Sequence, residues 1–460
     1  MTADLVLRNA RLVYDNGRIV DGGLICEDGT IAAVFEGDPP GGPGSAEEID
    51  AGGRYVLPGL IDPHVQLYAA ERFGHYATET QSAAIGGVTT IIKMHRDLAG
   101  YDAPSILDEI AGAESRAHVD FAFHLAVMTD DQIAAIPEYA RQFGVESFKF
   151  FTAYKGEEGT PLGIQGLDDG QLLEALVAVA DVCGVALVHC ENQELADHAC
   201  RSVRAAGGDG LAGFAASRPP LVEVEAVRRV AFLAARVGCP LYVVHVTSKE
   251  AIEFVAAASR SGQRIFAETE PHYLTETLDS PAGNLAKVIP PIRDAADRDA
   301  LWAVLAAGGI DTIGSDHVSA RRERKQGSIW DAQLGFPGIA TILPVLLSEG
   351  VNRGRIPLSR VVSVTSANPA RIFGLPGKGR LLPGNDADFV VVDLSLERKV
   401  DAELLGSCSD FSIYEGRMLR GWPVLTVCRG VVVMRDGEVV GAEGHGRFLR
   451  RGVRQPAGVA

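Results

Sequence analysis

Five polar side chains interrupt apolar, strand-like runs in this sequence. They are His64 (PGLIDPHVQL), Lys149 (ESFKFFTAYKG), His189 (ALVHCEN), His245 (YVVHVTS) and Asp316 (IGSDH). Imidazole nitrogens and carboxylate oxygens are ordinary ligands for zinc and similar ions. A single histidine on an apolar strand is more often a satisfied core residue than a ligand. Core packing gives no reason for such groups to recur at five separate strand ends. Lys149 carries the most information. Period-2 alternation sets Ser147, Lys149 and Phe151 on one face and Phe148 and Phe150 on the other. With the phenylalanines against helices, Lys149 points inward. A bare buried ammonium is costly and its pKa falls. The resulting neutral amine can add carbon dioxide to give a carbamate, an anion able to bridge two metal ions. Without the histidines, a lysine paired with a carboxylate would be the simpler reading.

Eight runs can carry these side chains: VLPGLIDPHVQL, GVTTIIKM, VDFAFHLAV, VESFKFF, GVALVHC, PLYVVHV, RIFAETE and DTIGSD. Helical segments such as DDGQLLEALVAVADVCG and EAVRRVAFLAARVG lie between most of them. The alternation predicts an α/β fold, a (β/α)8 TIM-like barrel of parallel strands. In such a barrel the C-terminal strand ends form one catalytic face. An open doubly wound sheet would carry a glycine-rich phosphate loop after its first strand, and the sequence has none there. The chain ends have a different texture. LVLRNARLV, the turn Asp15-Asn16-Gly17 and GLICEDGTIAAVFEG read as short strands. GRLLPGNDADFVVVDL and PVLTVCRGVVVMRDGEVVG resume that texture after about Leu375. We expect a β-sandwich domain from residues 1–57 plus 375–460, and a barrel from residues 58–374. Pro39 to Gly44 (PPGGPG) reads as a loop, and RRGVRQPAGVA as a poorly ordered end.

The 460 residues, 47% hydrophobic and 22% charged, suit a large globular core. A net charge of −17 argues against nucleic acid or an anionic membrane as partner. The 7 cysteines include no CxxC pair, which predicts reduced thiols in the cytoplasm. The N-terminal MTADLVLRNARLVYDNG does not read as a signal peptide. No apolar run reaches membrane-spanning length.

Taken together, PGLIDPHVQL, GGVTTI, SFKFFTAYKG, LVHCEN, VVHVTS, AETEPHYL, GSDH and NPARIFGLPGKGRLLPGNDADFVVVD resemble the cyclic amidohydrolases: hydantoinases, dihydropyrimidinases, allantoinases and dihydroorotases. The resemblance covers nearly the whole chain. It implies metal-dependent hydrolysis of a hydantoin or dihydropyrimidine-like ring to an N-carbamoyl amino acid. It also implies a binuclear site bridged by N6-carboxylated Lys149. By motif, His64, Lys149 and Asp316 hold one ion, and Lys149, His189 and His245 hold the other. Zn2+ is the expected metal, as one or two ions, with Mn2+ as the alternative. SFK–x4–YKG favours the hydantoinase/dihydropyrimidinase branch. There Tyr154 matches the tyrosine that hydrogen-bonds the carbonyl oxygen as the tetrahedral intermediate forms. A small cyclic amide is the implied partner, and a homo-oligomer, tetramer or dimer, the implied assembly.

The chain departs from this family at several positions. The family's first motif is His-x-His, and here it is His64-Val65-Gln66. Residues i and i+2 share a strand face, so Gln66 points at the metal, where an amide oxygen is a weaker ligand than imidazole. Gln66 can equally serve as a hydrogen-bond donor to substrate. Where dihydroorotases and allantoinases have Met-Pro-Asn, this chain has Met94-His95-Arg96. A guanidinium fork suits a carboxylate, so Arg96 is a candidate for binding an anionic group on the substrate. His95 is a candidate for the missing imidazole. The alternative is that both are ordinary loop residues. Tyr68 replaces an arginine of dihydroorotases, and Ile289 replaces the serine of hydantoinases. His75, His118, His124, His198 and His445 read as structural, and His272 and His317 as groups that orient ligands.

The implied mechanism has water activated by the metal, with Asp316 as proton acceptor and then donor to the leaving nitrogen. A metal and Tyr154 stabilise the oxyanion. Two other readings stand beside it. One is hydrolysis of another cyclic ureide, imide or lactam, allantoinase- or dihydroorotase-like. The other is a non-catalytic scaffold related to dihydropyrimidinase.

Overall fold

The computed structural model describes residues 4–39, 47–67, 73–156 and 158–451. Tyr68, most of the PPGGPG loop and the tail beyond residue 451 lie outside the described residues. The strands, in chain order, are β1 (Leu5–Val13), β2 (Ile19–Glu27), β3 (Thr30–Glu36), β4 (Glu47–Asp50), β5 (Tyr55–Pro58), β6 (Leu60–Gln66), β7 (Val88–His95), β8 (Asp120–Ala126), β9 (Ser147–Phe151), β10 (Val185–His189), β11 (Leu241–Val243), β12 (Ile265–Thr269), β13 (Thr312–Ile313), β14 (His317–Val318), β15 (Phe389–Lys399), β16 (Met418–Cys428), β17 (Val431–Arg435) and β18 (Glu438–Val439).

Two sheets account for all of them. The mostly antiparallel sheet joins both chain ends in the order β18-β17-β16-β15-β5-β1-β2-β3, with β4 pairing β1. Its hairpins follow the sequence closely. Asp28-Gly29 between β2 and β3 and Asp436-Gly437 between β17 and β18 all have positive φ, as a type I′ turn requires. Leu5, Leu7, Leu12, Leu24, Val56, Phe389, Val391 and Val427 form part of the core behind this sheet. The parallel sheet runs in sequence order from β6 to β13, with β14 beside β6. The eight runs read as barrel strands are these eight. DFAFHLA (β8) and VALVH (β10) are buried at every position, the pattern of strands covered on both faces. The expected helices are present at Asp169–Asp181, opened by an Asp168/Gln171 capping box, and at Pro220–Val237, ended by Gly238 at φ +67°. Among the described residues no helix is long and apolar enough to cross a membrane.

The chain divides into two compact units. The first comprises Met1–Ile92, Ala111–Ala122 and Pro337–Leu449. The second comprises Lys93–Ile110, Phe123–Phe336 and Arg450–Ala460. Within the first unit, Lys378 is enclosed by carboxylates. Its Nζ lies 2.6 Å from Asp120, 2.8 Å from Asp386 and 2.6 Å from Asp388. Arg429, at φ +45°, donates through Nη1 to Asp120 at 2.5 Å and through its backbone N–H to Asp388 at 2.7 Å.

Candidate active site

Within the second unit, β9 (SFKFF) is buried along its whole length, and Lys149 is 2% exposed. Its Nζ has no hydrogen-bond partner and lies 5.5 Å from the centroid of the Phe151 ring. Burial pushes the ammonium down to about 8, against the carboxylates of Glu268, Asp316 and Glu270, which favour the charge. A minor fraction is therefore neutral amine near neutral pH, far more than in a free lysine.

His189 closes β10, and His245 follows β11 by two residues. His189 Nδ1 is 2.9 Å from His245 Nε2, and its Nε2 is 3.0 Å from Glu191 Oε2. Behind the pair lies a support that is buried except at half-buried Glu158. Arg218 Nη1 donates to Glu191 Oε2 at 2.7 Å, and its Nη2 donates to Glu158. Arg293 donates to the Arg218 carbonyl and, at 2.9 Å, to Thr247 Oγ1. Glu223 accepts from the Thr247 N–H at 2.8 Å and the Ser248 N–H at 3.0 Å. The loop after β11 that carries His245 is thus clamped through its backbone. Glu268 is similarly committed: Tyr242 Oη donates to it at 2.6 Å and the His245 N–H at 3.2 Å. Glu270, two residues on, is fully buried, and neither carboxyl oxygen has a hydrogen-bond partner. Burial first, then Glu268 and Asp316, pushes its carboxyl well above the ordinary range.

Tyr154 is 7% exposed, with its ring 4.8 Å from His189 and 5.7 Å from Phe151. Close backbone approaches hold its loop. A Cβ on Gly159 would stand 2.0 Å from the Tyr154 carbonyl oxygen, and one on Gly166 2.0 Å from that of Ala153. Burial raises the Tyr154 hydroxyl; Glu191 adds to this, while Arg218 and Arg96 oppose it. Tyr154, His245 and Asp316 have φ of +63°, +41° and +45°. Non-glycine residues at positive φ are sparse and gather at active sites.

The structure therefore brings Lys149, Tyr154, His189, His245 and Asp316 into one buried cluster, together with Glu191, Glu268 and Glu270. Arg96 is half-buried and its charge acts on the Tyr154 hydroxyl. The His95 ring stacks on Phe123 at 5.1 Å and packs near Tyr101 at 5.6 Å. His64 and Gln66 belong to β6 of the first unit, where His64 is buried, its N–H bonded to Asp62 at 3.1 Å, and Gln66 is half-buried. The His272 ring packs on Tyr273 and Phe336. Two imidazoles, a carboxylate and a buried amine without a partner fit a divalent metal and a carboxylated lysine. Sequence reasoning missed Glu191, Arg218, Glu223, Arg293, Glu268 and Glu270. Only the last two had a local signal: two acids at i and i+2 where the apolar run of β12 gives out.

The chain is similar to known proteins in sequence and fold. The amidohydrolase family profile matches residues 55–433. An L-hydantoinase of Paenarthrobacter aurescens is 35% identical over 460 residues, covering 97% of this chain and 98% of its own. An allantoinase of Rubrobacter xylanophilus is 36% identical over 457 residues, covering 97% of each chain. The solved L-hydantoinase (dihydropyrimidinase) from Arthrobacter aurescens superposes with a TM-score of 0.90 at 34% identity, over 98% of this chain and 100% of that one.

Proposed function

The chain belongs to the amidohydrolase family and is a hydrolase of cyclic amide C–N bonds; we propose that it opens a hydantoin or dihydropyrimidine-like ring to an N-carbamoyl amino acid, with metal bound at the Lys149 cluster. The observation that carries this reading is the buried Lys149 amine, without a hydrogen-bond partner, amid His189, His245 and Asp316. Carboxylated Lys149 with His64, His189, His245 and Asp316 would hold one or two ions, Zn2+ or Mn2+. What the bound metal supplies is a Lewis acid for the ring carbonyl and water acidic enough to attack near neutral pH.

The remaining steps fall to side chains. Asp316 takes the proton of the attacking water on a carboxylate oxygen and returns it to the leaving ring nitrogen. Tyr154 donates a hydrogen bond to the carbonyl oxygen as negative charge builds there, and its raised pKa keeps that proton in place. Gln66 hydrogen-bonds the ring amide. Arg96, whose charge reaches the Tyr154 hydroxyl, binds an anionic group on the substrate. We further propose a cytoplasmic homo-oligomer, tetramer or dimer; light scattering on the purified protein reads its mass.

The allantoinase relative, with Gln66 and Arg96, supports a second reading in which the ring is another cyclic ureide or an imide. Elemental analysis of chelator-free protein, followed by a panel of hydantoins, dihydropyrimidines, allantoin and cyclic imides, tests both. We expect one to two metal equivalents and turnover of a hydantoin or dihydropyrimidine. Turnover of allantoin or an imide alone favours the second reading. Metal-free protein that takes up neither zinc nor manganese overturns both. Arg96→Ala should raise KM most for acidic substrates; a KM unchanged across charged and neutral rings removes Arg96 from the site.

A further inference from the structure

We infer that Glu270 is itself a metal ligand in the Lys149 cluster, the anionic donor that compensates for the weak amide at position 66. The inference rests on the metal-dependent reading above. Three observations lead to it. First, the HVQ sequence leaves five strong donors among the six positions the family pattern expects. Second, Glu268 lies in β12 and Glu270 is the first residue beyond it, yet their surroundings differ. Glu268 is tied to Tyr242 Oη and the His245 N–H. Glu270 has no donor for either oxygen although it is fully buried. Buried carboxylates are otherwise met by hydrogen bonds, a counter-charge or a metal. Third, the charged neighbours of Glu270 are the Lys149 cation and the Glu268 and Asp316 carboxylates, so an ion held in the Lys149 cluster is within its reach.

Carboxylation of Lys149 removes even that cation. The cluster would then hold Glu268, Glu270, Asp316 and a carbamate, a concentration of negative charge that a divalent ion resolves. A carboxylate oxygen also suits the hard-to-borderline ions proposed here. Glu270 thus does two things at once: it supplies the missing strong donor, and it makes the metal-free cluster electrostatically unfavourable.

Elemental analysis and chelator titration of wild type, Glu270→Ala, Glu270→Gln and the Gln66→His/Glu270→Ala double variant test this, with thermal unfolding of each metal-free protein. We expect Glu270→Ala and Glu270→Gln to lose about one metal equivalent, or to release metal at roughly tenfold or more lower chelator concentration. The metal-free Glu270→Ala protein should melt higher than metal-free wild type, because an uncompensated buried carboxylate is gone. The double variant should regain metal. Glu270→Gln carries the test should the alanine variant misfold. Full metal content with unchanged chelator resistance in both single variants overturns the inference and leaves the hydrolase reading standing. Activity lost with metal retained overturns it too, and makes Glu270 a proton-handling group. Wild type that binds no metal overturns the hydrolase reading itself.

Discussion

Lys378 and Lys149 are both buried lysines in the same chain, and their surroundings are opposite. Around Lys378 three aspartates crowd to 2.6–2.8 Å. Burial alone would lower its pKa, but Asp388 and Asp120 together drive it above the ordinary lysine value. Around Lys149 the carboxylates exert a field without forming one hydrogen bond to Nζ, burial dominates, and the pKa falls to about 8. The first environment consumes the charge to hold a fold together. The second leaves an amine reactive. Burial by itself therefore says little about a lysine; the count of bonded partners separates a structural cation from a nucleophile.

This contrast makes predictions of different size. Lys149→Met should lower kcat/KM by more than the roughly 10- to 100-fold typical of groups that only orient ligands. Its metal-free form should lose less stability than Lys378→Met, since Nζ makes no hydrogen bond for the substitution to break. A Lys149→Met enzyme with normal turnover would remove the lysine from the mechanism. Lys378→Met should do the reverse: it should cost about 3–5 kcal/mol in urea unfolding, because three aspartates lose the lysine they share and only Asp120 and Asp386 keep a guanidinium partner, while the folded fraction keeps its kcat. An unchanged urea midpoint would show that the network is dispensable. The raised pKa of Lys378 gives a sign as well. Its contribution is fully present below the unfolded value of 10.5 and is lost only as pH rises through the higher folded value.

Two smaller effects follow. Arg218→Met leaves Glu191 without its 2.7 Å partner behind His189, so metal affinity should fall by about 10- to 100-fold with the ring stereospecificity intact. A zinc titration giving the wild-type affinity would reduce Arg218 to packing. The smallest effect belongs to Asp393. Its carboxyl is lowered to about 2, first by the Ser395 hydroxyl, then by the Ser395 N–H and Arg54. The folded pKa is depressed, so this stability is present above 3.8 and lost as pH falls through about 2. Asp393→Asn should flatten only that acid limb, by less than about 1 kcal/mol, because the Arg54 contact is water-exposed.

Much of this architecture is legible in the sequence. The barrel strands stand out because strands covered on both faces need uninterrupted apolar runs, and the hairpins because Asp-Gly supplies positive φ. The inward direction of Lys149 follows from alternation against Phe148 and Phe150. The support behind His189 is not legible. Arg218 lies 27 residues from Glu191, and Arg293 75 residues from the carbonyl it binds on Arg218. No local period encodes such pairings, which exist only once the chain is folded. Glu270 was legible in principle, as the second acid in AETE, but its meaning depends on which oxygens remain unbonded.

Tyr154, His245 and Asp316 all occupy left-handed backbone conformations, and this bears on how the protein could be engineered. Each such residue stores on the order of 1 kcal/mol that glycine would release. Their side chains are buried, however, and emptying the space that the Tyr154 or His245 ring fills would cost about 2–5 kcal/mol, more than glycine returns. The strain is therefore locked in by packing, and a search for heat tolerance in this scaffold can leave these three codons fixed at no loss.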